Sequence, residues 1–100
     1  EGFAAGKQVI SCRHSGALDF LTDENSFLVD SDIIPAGKKY QYWKEMPSAT
    51  TYYPKIDQLQ SQMRRVFSGE KKNFDNKIKE LFSWENSANK IIDIYDHIYR

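Results

Sequence analysis

A single cysteine, two histidines and no surplus of either charge deny this 100-residue sequence the raw material for several functions. Cys12 alone excludes an internal disulfide framework, and one Cys with two His does not suggest a zinc-ligand set. That usage points to reducing, cytoplasmic surroundings. Fourteen basic side chains offset fourteen acidic ones, so no electrostatic footprint for a nucleic acid is implied. No apolar run approaches the ~18 residues of a helical membrane span. The length allows one domain at most, with a modest core.

What is present begins abruptly. Residues 1–10 (EGFAAGKQVI) read as the end of a helix, a glycine stop at Gly6 and an apolar strand over residues 7–12. No cap or first turn precedes them, so the expectation is a chain that opens inside a larger protein. A second short apolar run covers residues 26–30 (SFLVD). Between the two, Ala17-Leu18-Asp19-Phe20-Leu21 suffices for a short helix. Parallel neighbours need a crossover of about a dozen residues, and this spacing fits a βαβ unit. Strands without alternation are expected to be covered on both faces. Ser15-Gly16 would then lie at the carboxyl end of the first strand, where open α/β sheets hold their ligands.

Residues 31–54 hold three prolines and no helical period, yet carry Tyr40, Tyr42, Trp43, Tyr52 and Tyr53. Flexible linkers lack such rings, so an aromatic-rich ordered loop is expected, with a short strand near Tyr52. Residues 57–100 read as three helices. Asp57 with Gln60 has capping-box spacing, and Leu59, Met63, Val66 and Phe67 form one stripe ending at Gly69. Phe74, Ile78, Leu81 and Phe82 mark a second helix. Ser83 starts a third, whose stripe is Trp84, Ala88, Ile91, Ile92, Tyr95 and Ile98. Trp84 is expected to be a core anchor, and the three helices to cover one side of a sheet.

Four blocks, in order, resemble one family. EGFAAGKQVI at residues 1–10 is similar to the E-A-x-A-x-G-K-P-V-I stretch of the C-terminal domain in group 1 (family 4) glycosyltransferases of the GT-B fold. SGALDFLT at 15–22 resembles S-G-N-L-D-F-M-T of a subgroup, and ENSFLV at 24–29 its E-N-S-Y-L-V. FSWENSA at 82–88 resembles the closing F-S-W-E-x-x-A helix. Gln8 departs from the family's proline.

The resemblance implies an α/β fold, namely an incomplete Rossmann-like βαβ unit followed by three C-terminal helices. It implies the donor-side lobe of an enzyme that moves a sugar from a nucleotide-sugar to a sugar or lipid-linked acceptor, with retention of configuration by analogy alone. Glu1 matches the glutamate that holds the donor's ribose hydroxyls. The family's first glutamate and the small-residue loop that receives the diphosphate would precede Glu1; Ser15 and Gly16 are read as donor-binding from their place at the strand's carboxyl end, where small residues let the backbone approach a ligand. The basic residues that neutralise the leaving phosphates, and the acceptor-binding N-terminal domain, would lie upstream, so these 100 residues alone are expected to be inactive and no catalytic residue is assigned. No metal or other cofactor is expected, since backbone amides and basic side chains do the charge work in that family.

Other residues admit plainer readings. Arg13 and His14 share the strand end with Ser15, where a phosphate clamp or general base could be placed, but a histidine in a polar loop is more commonly solvated. The aromatic loop offers a platform for sugar stacking, or simply packs over the sheet edge. Arg64-Arg65 and Lys71-Lys72 read as solvated helix faces balanced by Glu70, Asp75 and Glu80; with a lipid acceptor they would support peripheral membrane contact. The rival of another class is a non-catalytic helical module that docks a protein partner.

Overall fold

Two glycines end helical stretches in the same way. Gly6 sits at φ +73° and Gly69 at φ +95°, a region that glycine enters without a Cβ penalty. Around Gly6, the Lys7 N–H reaches back to Gly2 O (3.0 Å) and the Gly6 N–H to Phe3 O (3.1 Å). Around Gly69, the Glu70 N–H bonds Arg65 O and the Gly69 N–H bonds Val66 O, both at 3.1 Å. Nested bonds of this kind satisfy the carbonyls orphaned at a helix end. Residues 2–6 are turns rather than helix, but they close as a helix end does.

The computed structural model describes residues 1–73 and 76–100. Phe74 and Asp75, expected in the second helical stripe and as a counter-charge, lie outside the described residues. The chain divides into two compact units, one of Glu1–Lys7 with Phe74–Arg100 and one of Gln8–Asn73.

In the second unit, β1 (Ile10–Cys12) runs parallel to β2 (Phe27–Val29), with Ile10 beside Phe27 and Cys12 beside Val29. The α/β expectation therefore holds, with strands shorter than the apolar runs that announced them. The crossover is a 3-10 helix at Ser15–Asp19 followed by a turn, not an α-helix. That turn is stapled by side chains. Asn25 Oδ1 accepts from the Thr22 N–H (2.8 Å), Asn25 Nδ2 donates to Phe20 O (2.9 Å), and Ser26 Oγ donates to Thr22 O (2.6 Å). All three residues of β2 are buried, and Phe27 is 1% exposed.

α1 (Ile56–Phe67) packs against this pair. Its inward face is Gln58, Leu59, Gln62, Arg65 and Val66, while Met63 is exposed and Phe67 is 96% exposed. The expected stripe is thus half corrected, and the glutamines explain why. Gln62 Nε2 donates to Leu28 O (2.8 Å), and Gln58 Oε1 accepts from the Asp30 N–H (2.9 Å). The Lys55 N–H adds a bond to Asp30 O (2.9 Å). These groups face away from β1, so α1 satisfies backbone that would otherwise want another strand. Asp57 is no cap either. Lys55 is the N-cap residue, without a side-chain bond, and Asp57 sits inside the first turn, where a carboxylate favours the helix dipole.

β3 (Ser31–Pro35) and β4 (Thr50–Pro54) form an antiparallel ribbon, with Ser31 opposite Pro54 and Pro35 opposite Thr50. Both prolines stand at strand ends, where a missing N–H disturbs the ladder least. Residues 31–54 are therefore framed by a second small sheet, and the strand foreseen near Tyr52 has a partner. Between the strands run two 3-10 turns, Ala36–Lys38 and Gln41–Trp43.

In the first unit, α2 (Asn76–Leu81) contacts α3 (Trp84–Tyr99). Ser83 caps α3 as its position suggested, its Oγ accepting from the Asn86 N–H at 3.1 Å. The α3 stripe is exposed, however. Trp84 is 84% exposed and Ile91 68%, so Trp84 is not a core anchor. A six-residue α2 offers its neighbour too small a surface to bury a tryptophan.

Candidate functional site

The carboxyl end of β1 is built by three consecutive side chains with different fates. The Arg13 N–H extends the parallel ladder to Val29 O at 2.8 Å. Its guanidinium then forms a fork with Asp23 (Nη1–Oδ2 2.9 Å, Nη2–Oδ1 2.8 Å) and reaches Asp30 Oδ1 through Nε at 3.1 Å. The hydrogen bond to Asp23, with Asp30 adding to it, holds the guanidinium further above its already high range. The same bond from Arg13 holds the Asp23 carboxyl below its usual value. Arg13 is thus engaged by two carboxylates, which opposes the phosphate-clamp reading.

Ser15 is the one non-glycine residue with left-handed backbone among the described residues, at φ +57°. Such a conformation costs roughly 1–2 kcal/mol in an ordinary residue. Its Oγ lies 2.8 Å from His14 Nδ1. The half-buried His14 ring stacks on Tyr52 of β4, centroids 4.3 Å apart and planes 9° apart. The aromatic excursion therefore supplies a ring to this loop. Sequence reasoning foresaw aromatic content but not this contact, which arises from the non-local pairing of β3 with β4.

Gly16 follows, exposed, at the start of the 3-10 helix, and a Cβ there would meet nothing within 4 Å. Its lack of a side chain answers no crowding within this chain; it leaves open space beside the backbone. Ser15 and Gly16 are thus adjacent and accessible at the strand end foreseen for them. Glu1 belongs to the other unit. It is exposed, and its carbonyl accepts the Ala5 N–H at 3.0 Å.

Two residues that the sequence left plain take part in the framework. Gln8 clasps the Lys72 backbone, accepting from its N–H at 2.7 Å and donating to its O at 3.4 Å. Lys72 turns inward, its Nζ donating to Asp23 O (2.7 Å) and lying 5.1 Å from the Phe27 ring centroid. Arg65 covers Phe27 as well, at 5.2 Å, and pairs with Glu70 at 2.5 Å. Of the four basic residues read as solvated, Arg65 and Lys72 are therefore engaged within the protein.

Among the described residues no cluster of His, Cys, Asp or Glu is arranged to hold a metal ion. No helix among them is long and apolar enough to cross a membrane. Compared with known proteins, the chain matches no family model, no curated protein and no solved structure.

Proposed function

We propose that the chain is the donor-side lobe of a GT-B-type glycosyltransferase, which moves a sugar from a nucleotide-sugar to a sugar or lipid-linked acceptor. The observation that carries this reading is the parallel β1–β2 pair with Ser15 and Gly16 exposed at the carboxyl end of β1. An open loop there lets a ligand approach backbone amides, as in other open α/β sheets. The order of the four resembling blocks supports the same conclusion. In this reading Glu1 receives the ribose hydroxyls, Ser15 and Gly16 line the donor site, and a separate acceptor-binding domain completes the enzyme. Catalysis then rests on positioning the donor and stabilising the departing diphosphate. Contact with a membrane surface would fall to the more exposed Arg64 and Lys71 if the acceptor is a lipid.

The test is titration of the 15N-labelled full-length protein with UDP-, GDP- and dTDP-sugars. Saturable shifts confined to the amides near Ser15 and Gly16 are expected for one nucleotide class. Indifference to all of them would refute the reading. The second reading, a helical docking module, is favoured by the exposed apolar side chains of α3, Ile92, Ile94, Tyr95, Ile98 and Tyr99 among them, since exposed patches of this kind mark interaction sites.

A further inference from the structure

We propose that the pocket inside the β3–β4 excursion is a saccharide subsite that takes one pyranose ring. The cavity measures about 260 Å³ and is lined by Ala36, Tyr40, Trp43, Ala49, Thr50 and Thr51. Drug-sized ligands occupy pockets of about 300–1,000 Å³, so this one suits a single small ring.

Its walls are fixed by backbone bonds rather than by loose side chains. The Ala36 N–H donates to Ala49 O (2.9 Å), closing the excursion at its base. The Tyr40 N–H donates to Ala36 O (2.9 Å), the Trp43 N–H to Tyr40 O (3.0 Å) and the Ala49 N–H to Met46 O (2.9 Å). Gly37 lets the two 3-10 turns meet backbone to backbone, since a Cβ there would stand 3.3 Å from Lys44 Cα. A site formed in advance binds without the entropy of ordering it.

The chemistry of the lining selects the ligand class. Tyr40 and Trp43 bring aromatic rings, two alanines bring small apolar surface, and the consecutive Thr50 and Thr51 of β4, whose side chains alternate, bring backbone from one and from the other a hydroxyl that both donates and accepts. Trp43 is 38% exposed, so part of its ring remains open to a ligand. Among the described residues the Trp43 indole N–H, the Tyr40 hydroxyl and both threonine hydroxyls have no hydrogen-bond partner. A pyranose presents C–H groups on one face and hydroxyls around its rim, which is the complement of this set. No charged side chain lines the cavity, so a neutral sugar fits and a phosphate does not. The inference stands apart from the glycosyltransferase reading, since the cavity lining alone selects the ring.

The experiment uses Trp84→Phe, which removes the exposed second tryptophan and leaves Trp43 as the sole indole reporter. Methyl α-D-glucopyranoside, methyl α-D-mannopyranoside and methyl β-D-galactopyranoside are titrated while Trp43 fluorescence is followed. A saturable change with at least one is expected. Tyr40→Ala should weaken it about tenfold and the shape-conserving Thr51→Val about fivefold, with the 15N spectrum of β3 and β4 retained. No saturable change with any pyranoside overturns the proposal. So does a change that both variants leave intact, because the sugar then sits elsewhere. Saccharide binding without nucleotide-sugar binding would refute the donor-lobe reading and leave this site standing; the reverse would refute this site alone.

Discussion

His14 lies flat against Tyr52, ring centroids 4.3 Å apart and planes inclined by 9°. One ring belongs to the loop after β1 and the other to β4, so the stack ties the candidate donor loop to the aromatic ribbon. Aromatic pairs contribute about 0.5–1.5 kcal/mol beyond their burial. Tyr52→Ala should therefore lower unfolding free energy by about 1 kcal/mol and speed amide exchange at Ser15 and Gly16. Tyr52→Phe, which keeps the ring, should change neither in urea titration or hydrogen exchange.

Asn25 staples the turn that leads from the crossover into β2. Its amide satisfies the Thr22 N–H and Phe20 O from a buried position. Removing it strands both groups, and a buried unsatisfied group costs about 1–3 kcal/mol. Asn25→Ala should destabilise by about 2–4 kcal/mol in urea unfolding. Asn25→Asp keeps the acceptor but loses the donor and places a carboxylate in this buried position, so its loss at neutral pH should be at least as large.

Gln62 donates to the carbonyl of Leu28, a residue that is 3% exposed. Gln62→Leu would leave that oxygen without its partner while adding apolar surface. The expected outcome is a net loss of about 1–2 kcal/mol, read by thermal or urea unfolding. Gln62→Glu removes the donor as well and should be no milder at neutral pH.

Arg13 makes stability depend on acid in a defined direction. Its hydrogen bond lowers the Asp23 carboxyl below the ordinary value of 3.8. A group whose folded value is depressed stabilises the fold above the unfolded value, and that contribution fades as pH falls through the folded one. The Arg13–Asp23 contribution should therefore be complete above about pH 5 and decline progressively below 3.8. Its size is modest, about 1 kcal/mol or less, because the side chains are 39% and 65% exposed. Comparing acid unfolding of the wild type with Arg13→Met should show the difference between them shrinking in that window.

Short-range signals were the legible ones. Gly6, Gly69 and Ser83 act locally, and each ends or starts a helical stretch as its residue type requires. Val9-Ile10 and Phe27-Leu28-Val29 announced two strands because continuous apolar runs need cover on both faces. The inner face of α1 was misread at Met63 and Phe67 for a definite reason. Apolarity ranks side chains by transfer from water, whereas the flank of β2 demanded hydrogen-bonding groups, which Gln58 and Gln62 supply. β3, and its pairing with the strand foreseen near Tyr52, escaped notice because Ile33 is exposed and pairing across some twenty residues leaves no local period. At the candidate site, Ser15 and Gly16 were legible as a small-residue loop. The capture of Arg13 by Asp23 and Asp30, and the stack of His14 on Tyr52, depend on folding and could not be read from spacing.

The two glutamines of α1 also give the parallel sheet a direction of growth. Their amides already occupy the outward backbone of β2, while among the described residues β1 has a strand on one flank alone. Accretion of any additional ribbon, whatever its origin, is therefore one-sided and must begin alongside Ile10 and Cys12. An intruder approaching from the opposite flank would first have to evict both amides.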